Sequence, residues 1–164
     1  MSITRGAVFS ECGKFRMLLI RQWDISKPWL TWALLNPSTA DGETEDPTSR
    51  KVIGFSERFG CGGALIVNPS AYRATHPKDL KAAGYPIGPE NHAWIERALD
   101  SSGNSVICGW GANGRGIWCV SELIALFKRR NASMYALQVS PDNTPWHPLM
   151  LPYSLKPSPW GVRA

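Results

Sequence analysis

The stretch Trp29 to Thr48, WLTWALLNPSTADGETEDPT, decides the fold. It opens with an apolar run, Trp29 to Leu35, of the length and bulk of a strand buried on both faces. The run breaks at Asn36-Pro37-Ser38, because proline cannot donate to a sheet ladder. Asn36, Ser38, Thr39 and Asp41 are therefore expected on a polar loop at the carboxyl end of the strand, which in an open α/β sheet is where ligands bind. The loop runs into Asp46-Pro47-Thr48, a helix cap followed by proline at the first helical position.

Composition narrows the class. A chain of 164 residues, 43% hydrophobic and 19% charged, can bury a core without disulfides or metals, and residues 1–164 read as one domain. The N-terminus has no apolar core of signal-peptide length and no stretch approaches a membrane span, so a soluble cytoplasmic protein with no membrane partner is expected. Cys12, Cys61, Cys108 and Cys119 lack the Cys-x-x-Cys pairing of a metal site and read as free thiols, so neither metal nor cofactor is expected. The formal charge of +5 permits a nucleic-acid or phosphate partner without requiring one. Lys128-Arg129-Arg130 falls where a helix should end and reads as a complement to its dipole. Among the 8 tryptophans, Trp110, Trp146 and Trp160 sit in Gly/Pro-rich loops, where an indole can wall a ligand site.

Outward from the first strand, Ala7 to Phe9 and Phe15 to Gln22 read as a hairpin turning at Gly13. Asp46 to Phe59 carries Val52, Ile53, Phe55 and Phe59 on one helical face and is closed by Gly60. Gly63 to Val67 is a second buried strand, ending on Asn68-Pro69 and a polar loop with Ser70, Tyr72, Arg73, Thr75 and His76. Pro77 to Ala83 and Glu90 to Leu99 read as helices. Ser105 to Cys108 is a third strand, followed by Gly109-Trp110-Gly111-Ala112-Asn113-Gly114. Such a loop suggests close backbone approach to a ligand, although both the Walker and the dinucleotide patterns are absent. Ile117 to Phe127 is an amphipathic helix and Met134 to Val139 a fourth strand, whose loop carries Trp146, His147 and Pro148. The Pro-rich tail from Leu151 is expected to be irregular. The fold class is therefore α/β in three layers, with a central, mainly parallel four-stranded sheet, helices on both faces and an N-terminal β-hairpin.

If the four strands are parallel, one sheet edge gathers Asn36, Ser38 and Asp41, then Asn68, Tyr72 and Arg73, then Trp110 and Asn113, then Trp146 and His147. Taken singly these residues are ordinary: asparagine at a strand end usually shapes a turn, and histidine before proline usually bonds to backbone. Their convergence on one rim carries more weight than any one of them.

From Ala7 to Trp160 the sequence resembles the bacterial and phage family called domain of unknown function 1643. The resemblance rests on LNPSTAD from Leu35, DPT from Asp46, IGF from Ile53, VNP-x-A-x-RAT from Val67, GPEN from Gly88 and WG-x-x-G from Trp110. The order of elements is more distantly similar to the uracil-DNA glycosylase superfamily. That similarity sets Asn36-Pro37 with Asp41 at the superfamily's first motif, Asn68 at its base-reading asparagine and His147-Pro148 at its last motif. The chain departs from it in lacking flanking glycines around Asn36-Pro37-Ser38 and in following His147-Pro148 with Leu149 where serine is usual.

The resemblance implies a protein that acts on a nucleobase or N-glycosidic bond in DNA. Cleaving that bond builds negative charge on the departing base, which a donor such as His147 would stabilise. Asn36 or Asp41 would position water, the amide of Asn68 would read a base edge, and Tyr72, Trp110 or Trp146 would stack on an extruded base. Two readings compete with it: a non-catalytic nucleic-acid or nucleotide-binding module, and an enzyme on free or modified phage nucleotides. Salt-dependent DNA binding separates a DNA-acting protein from one that takes free nucleotides.

Overall fold

In the computed structural model, which describes residues 2–38 and 40–161, the Trp29 run is a central strand of one mixed sheet. The strands are β1 (Thr4–Phe9), β2 (Arg16–Gln22), β3 (Trp29–Ala33), β4 (Gly63–Val67), β5 (Ser105–Cys108), β6 (Ser133–Ala136) and β7 (Ser158–Pro159). Their spatial order is β1-β2-β4-β3-β5-β6-β7. The four strands read from the sequence are its parallel centre, in the order β4, β3, β5, β6. Thr39 lies outside the described residues.

The sheet is larger and less parallel than the expected four strands. β2 pairs antiparallel with β4, Leu19 opposite Ile66, so the N-terminal hairpin extends the sheet instead of standing apart. Leu18 packs into the core on one face and Leu19 into the core on the other, as a strand inside a sheet requires. At the far side, Ser158–Pro159 pairs antiparallel with β6, and Trp160 packs into the core. Part of the tail expected to be irregular is thus an edge strand, where proline's missing N–H is tolerated and the edge of β6 is covered.

Register sorts the side chains. Trp32 lies opposite Ile66 and Ile107, and these face α1 (Pro47–Arg58) with Val52 and Phe55. Ala33 lies opposite Val67 and Cys108, which face α3 (Asn91–Ser101) and α4 (Trp118–Arg129) through Leu99, Leu123 and Phe127. The short helix α2 (Pro77–Ala82) adds Leu80 to that side. Helices therefore cover both faces. Among the described residues, no helix is long and apolar enough to cross a membrane.

The start of α1 follows its sequence. The Asp46 carboxylate accepts the Ser49 N–H at 2.7 Å and the Ser49 hydroxyl accepts the Asp46 N–H at 3.0 Å, a reciprocal cap with Pro47 at the first position. The helix is pinned to the sheet by Trp32, whose indole N–H donates to Ser56 at 2.9 Å, and by Phe55, which packs against Trp32, Phe59 and Tyr153. Phe55 is fully buried, so Phe55→Ala should destabilise the protein by about 3–5 kcal/mol. Urea unfolding measures this, and a loss under about 1 kcal/mol would mean that Tyr153 and Phe59 collapse into the space.

Candidate functional site

At the carboxyl edge of the parallel strands lies a cavity of about 410 Å³, within the range of small-molecule sites. The sheet brings Asn36 and Ser38 to it after β3, Asn68 after β4, Trp110 and Asn113 after β5, and His147 after β6. Arg16, Asp46 and Thr48 also line it. Asp41, Tyr72, Arg73 and Trp146, expected on the same rim, lie outside this lining.

Asp41 faces away for a local reason. Its carboxylate accepts the backbone N–H of Glu43 and of Thr44 at 2.8 and 2.7 Å, the turn that Asp-Gly at 41 and 42 favours. Those two bonds hold its carboxyl below the usual carboxylate range. Tyr72 packs edge-on against Phe15 of the hairpin, and Arg73 stacks over Phe9 and donates to the Gly13 carbonyl. Both belong to a separate shallow cleft over α2. Trp146 is half-exposed outside the cavity, while Trp110, only 4% exposed, forms its wall with Trp160 packed edge-on behind it.

The carboxylate that does reach the cavity is Asp46. One of its oxygens accepts Ser38 Oγ–H and the Ala40 N–H, and the other accepts the Ser49 N–H. Burial raises its carboxyl, but these donors outweigh burial and hold it below its ordinary value, so it is ionised at neutral pH. The sequence marked Asp46 as a helix cap, and it is that; its second oxygen turns the cap into part of the cavity.

Arg16 is the other charge that the sequence reading passed over. β2 runs antiparallel to β4, so its first residue falls on the edge where the parallel strands end. Arg16 is 3% exposed, and its Nη1 donates to the Ala40 carbonyl at 2.7 Å. Burial pulls its guanidinium down to about 10, against the opposing charge of Asp46, and it stays cationic at neutral pH. The sequence shows an arginine heading the apolar run Met17 to Ile20, which does not by itself separate a buried side chain from an exposed one.

The asparagines are held by backbone. Asn36 Nδ2 donates to the carbonyls of Ala74 and Pro37, and its Oδ1 makes no bond among the described residues. Asn68, 1% exposed, donates Nδ2 to the Leu34 carbonyl at 2.8 Å and accepts Asn91 Nδ2 on its own backbone carbonyl. It ties β3, β4 and α3 together at the cavity floor, and its Oδ1 has no partner among the described residues.

His147 accepts the Leu149 N–H on Nδ1 at 3.2 Å. With Nδ1 an acceptor, the neutral ring carries its proton on Nε2. Burial holds the imidazole below its ordinary value, only partly offset by the charge of Asp46. The glycines of the preceding loop serve this histidine. A Cβ at Gly111 would sit 3.2 Å from His147 Cβ, and one at Gly109 would sit 3.2 Å from Pro148 Cδ and the Trp146 carbonyl. Gly111 also has φ of 73° and donates its N–H to the Pro145 carbonyl. The close backbone approach that the glycines signal is therefore an approach to the 145–148 loop. Among the described residues, no group of three or more His, Cys, Asp or Glu side chains is placed to hold a metal ion.

Two outcomes follow from this geometry. Gly111→Ala should cost about 1–3 kcal/mol of stability through its positive φ and displace His147, read by thermal unfolding and by the His147 imidazole resonances. An unmoved histidine signal would refute the buttress. In a titration followed by NMR, His147 should protonate with a midpoint below 6.5, and Asp46→Asn should lower it further by removing the charge that favours imidazolium. A midpoint that rises in Asp46→Asn would contradict the arrangement.

No curated protein and no solved structure matches the chain, and nothing in these comparisons supports the likeness to uracil-DNA glycosylases. A family model does match residues 16–149, which spans the cavity from Arg16 to Leu149. On that match the chain belongs to the family described as Protein of unknown function (DUF1643).

Proposed function

We propose that the protein acts on a nucleobase joined to its sugar by an N-glycosidic bond, in a nucleotide or in DNA in the cytoplasm, and hydrolyses that bond in the manner of the uracil-DNA glycosylases. The observation that carries this reading is His147: its Nδ1 is occupied by the Leu149 N–H, which leaves a neutral Nε2–H as donor in a cavity that three asparagines also line. In the reaction the C1′–N bond breaks with its electron pair passing to the base, while water adds its oxygen to C1′ and loses a proton. His147 donates a hydrogen bond to the carbonyl oxygen where the negative charge collects. Asp46 takes the part expected of Asp41: its anionic charge offsets the positive character of the sugar, and the oxygen that among the described residues holds only the Ser49 N–H orients the water and accepts its proton on the way to solvent. Asn36 Oδ1 reads a base N–H, and Trp110 gives the base a flat wall.

A second reading, binding without turnover, draws on the same carboxylate. Asp46 is held below its ordinary value by its donors, which makes it a weak base.

A screen for released base over single- and double-stranded DNA and free nucleotides, with natural and modified bases, tests the first reading directly. Once turnover is found, His147→Ala should lower the single-turnover rate by about a hundredfold to a thousandfold with little change in substrate affinity, because the charge it stabilises exists only near the transition state. Tight binding with no released base would select the second reading. Equal losses of rate and affinity would make His147 a binding residue.

A further inference from the structure

Arg16 is a buried cation in the cavity wall with no ion-pair partner among the described residues. The contrast with Arg21 on the same strand is direct. Arg21, 1% exposed, pairs with Glu45 at 2.8 Å and donates to the carbonyls of Gly6, Ile20, Asp41 and Thr44. Among the described residues the Arg16 guanidinium has one bond, to the Ala40 carbonyl, and its Nε is buried without a partner. A guanidinium taken out of water without a counter-charge is costly, and a structure retains one where something else supplies the charge. Asp46 supplies only part of it: its charge acts on Arg16 across the Ala40 main chain, but the two make no direct ion pair. The same cavity is lined by the hydroxyl residues Ser38, Thr48 and Ser49; Ser38 gives its proton to Asp46 and Ser49 to Glu45, so Thr48, in the first turn of α1, is the one of the three whose hydroxyl is unbonded among the described residues. A buried cation and an unbonded hydroxyl in the first turn of a helix are surroundings that bind phosphate.

The sheet separates this pole from the neutral one. From β2, which carries Arg16, to β5, which leads to Trp110 and Asn113, are three steps of about 4.8 Å along the edge, part of it covered by the Arg16 side chain itself. We infer that the cavity takes a nucleoside monophosphate, with the terminal phosphate on Arg16 and the Thr48 hydroxyl and the base between Trp110 and His147. This rests on the nucleobase reading above and names its substrate class. A phosphate must enter the cavity to meet a guanidinium 3% exposed. A phosphodiester inside a strand carries a sugar on each side and stays at the rim.

The test is calorimetric titration of the full chain with inorganic phosphate, the nucleosides of the common bases, their 5′-monophosphates, and a short single-stranded oligonucleotide without terminal phosphate. At least one monophosphate should bind about tenfold to a hundredfold more tightly than its nucleoside, the range expected of hydrogen bonds to a charged group, and Arg16→Gln should remove that ratio. Arg16→Lys, which keeps the charge, should retain part of it, and it serves as the variant if Arg16→Gln does not fold; the ratio in the parent protein needs no variant at all. Equal binding of nucleoside and monophosphate would overturn this inference and leave the nucleobase reading standing. Binding of phosphate and of every monophosphate alike, with none of the nucleosides, would keep the anion site and sink the nucleobase reading. An oligonucleotide that outcompetes every monophosphate would also overturn the inference, and no binding of any probe would end both.

Discussion

The main chain of Ala40 joins the two opposite charges of the cavity. Its N–H donates to the Asp46 carboxylate and its carbonyl accepts from the Arg16 guanidinium, so acid and base are bridged through one residue of backbone instead of meeting as a pair. A direct pair would collapse the space between them and spend both charges on each other. The bridge keeps them apart and fixes their spacing with groups that cannot titrate. Ala40 is itself buried, on the face that packs against α1, so the bridge is seated in the core.

That loop would be hard to hold by packing alone, since it is polar and rich in turn residues. β2 holds it with charge. Arg21 reaches the Asp41 and Thr44 carbonyls and the Glu45 carboxylate, Arg5 of β1 adds to Glu45 at 2.9 Å, and Glu45 also accepts the Ser49 hydroxyl. The hairpin therefore does two jobs. It widens the sheet by two strands, and it clamps the loop that connects β3 to α1. Burying Arg21 this way is expensive, and the five carbonyl and carboxylate partners are what offset the cost.

Much of this was legible in the sequence, and the misses have physical causes. The four parallel strands could be read because each is a short apolar run buried on both faces and stopped by Pro or Gly. The wider sheet was missed because a hairpin beginning at Thr4 gives the same local signal whether it pairs only with itself or also docks on a neighbour; the informative residues were Leu18 and Leu19, adjacent and both apolar, which no one-faced hairpin needs. Asn36, Ser38, Asn68, Trp110, Asn113 and His147 could be placed at one cavity because each follows a strand on the same edge. Asp41 could not be told from Asp46 by type, since both are loop aspartates; the glycine after Asp41 and the Pro-Thr-Ser after Asp46 separate a turn from a cap, but neither shows which carboxylate has an oxygen to spare. Arg16 was out of reach because its place on the edge depends on an antiparallel pairing that no local pattern reveals.

The cavity wall depends on chain that comes late. Trp110 is backed by Trp160, and the edge of β6 is covered by Ser158 and Pro159, so wall and sheet are completed only by residues some fifty positions further on. A chain in which Ser158 to Trp160 have not yet docked leaves a strand edge and one side of the Trp110 indole bare together. That undocked state is the one most open to pairing with another chain, and the one in which a chaperone that shields apolar surface would have the most to hold.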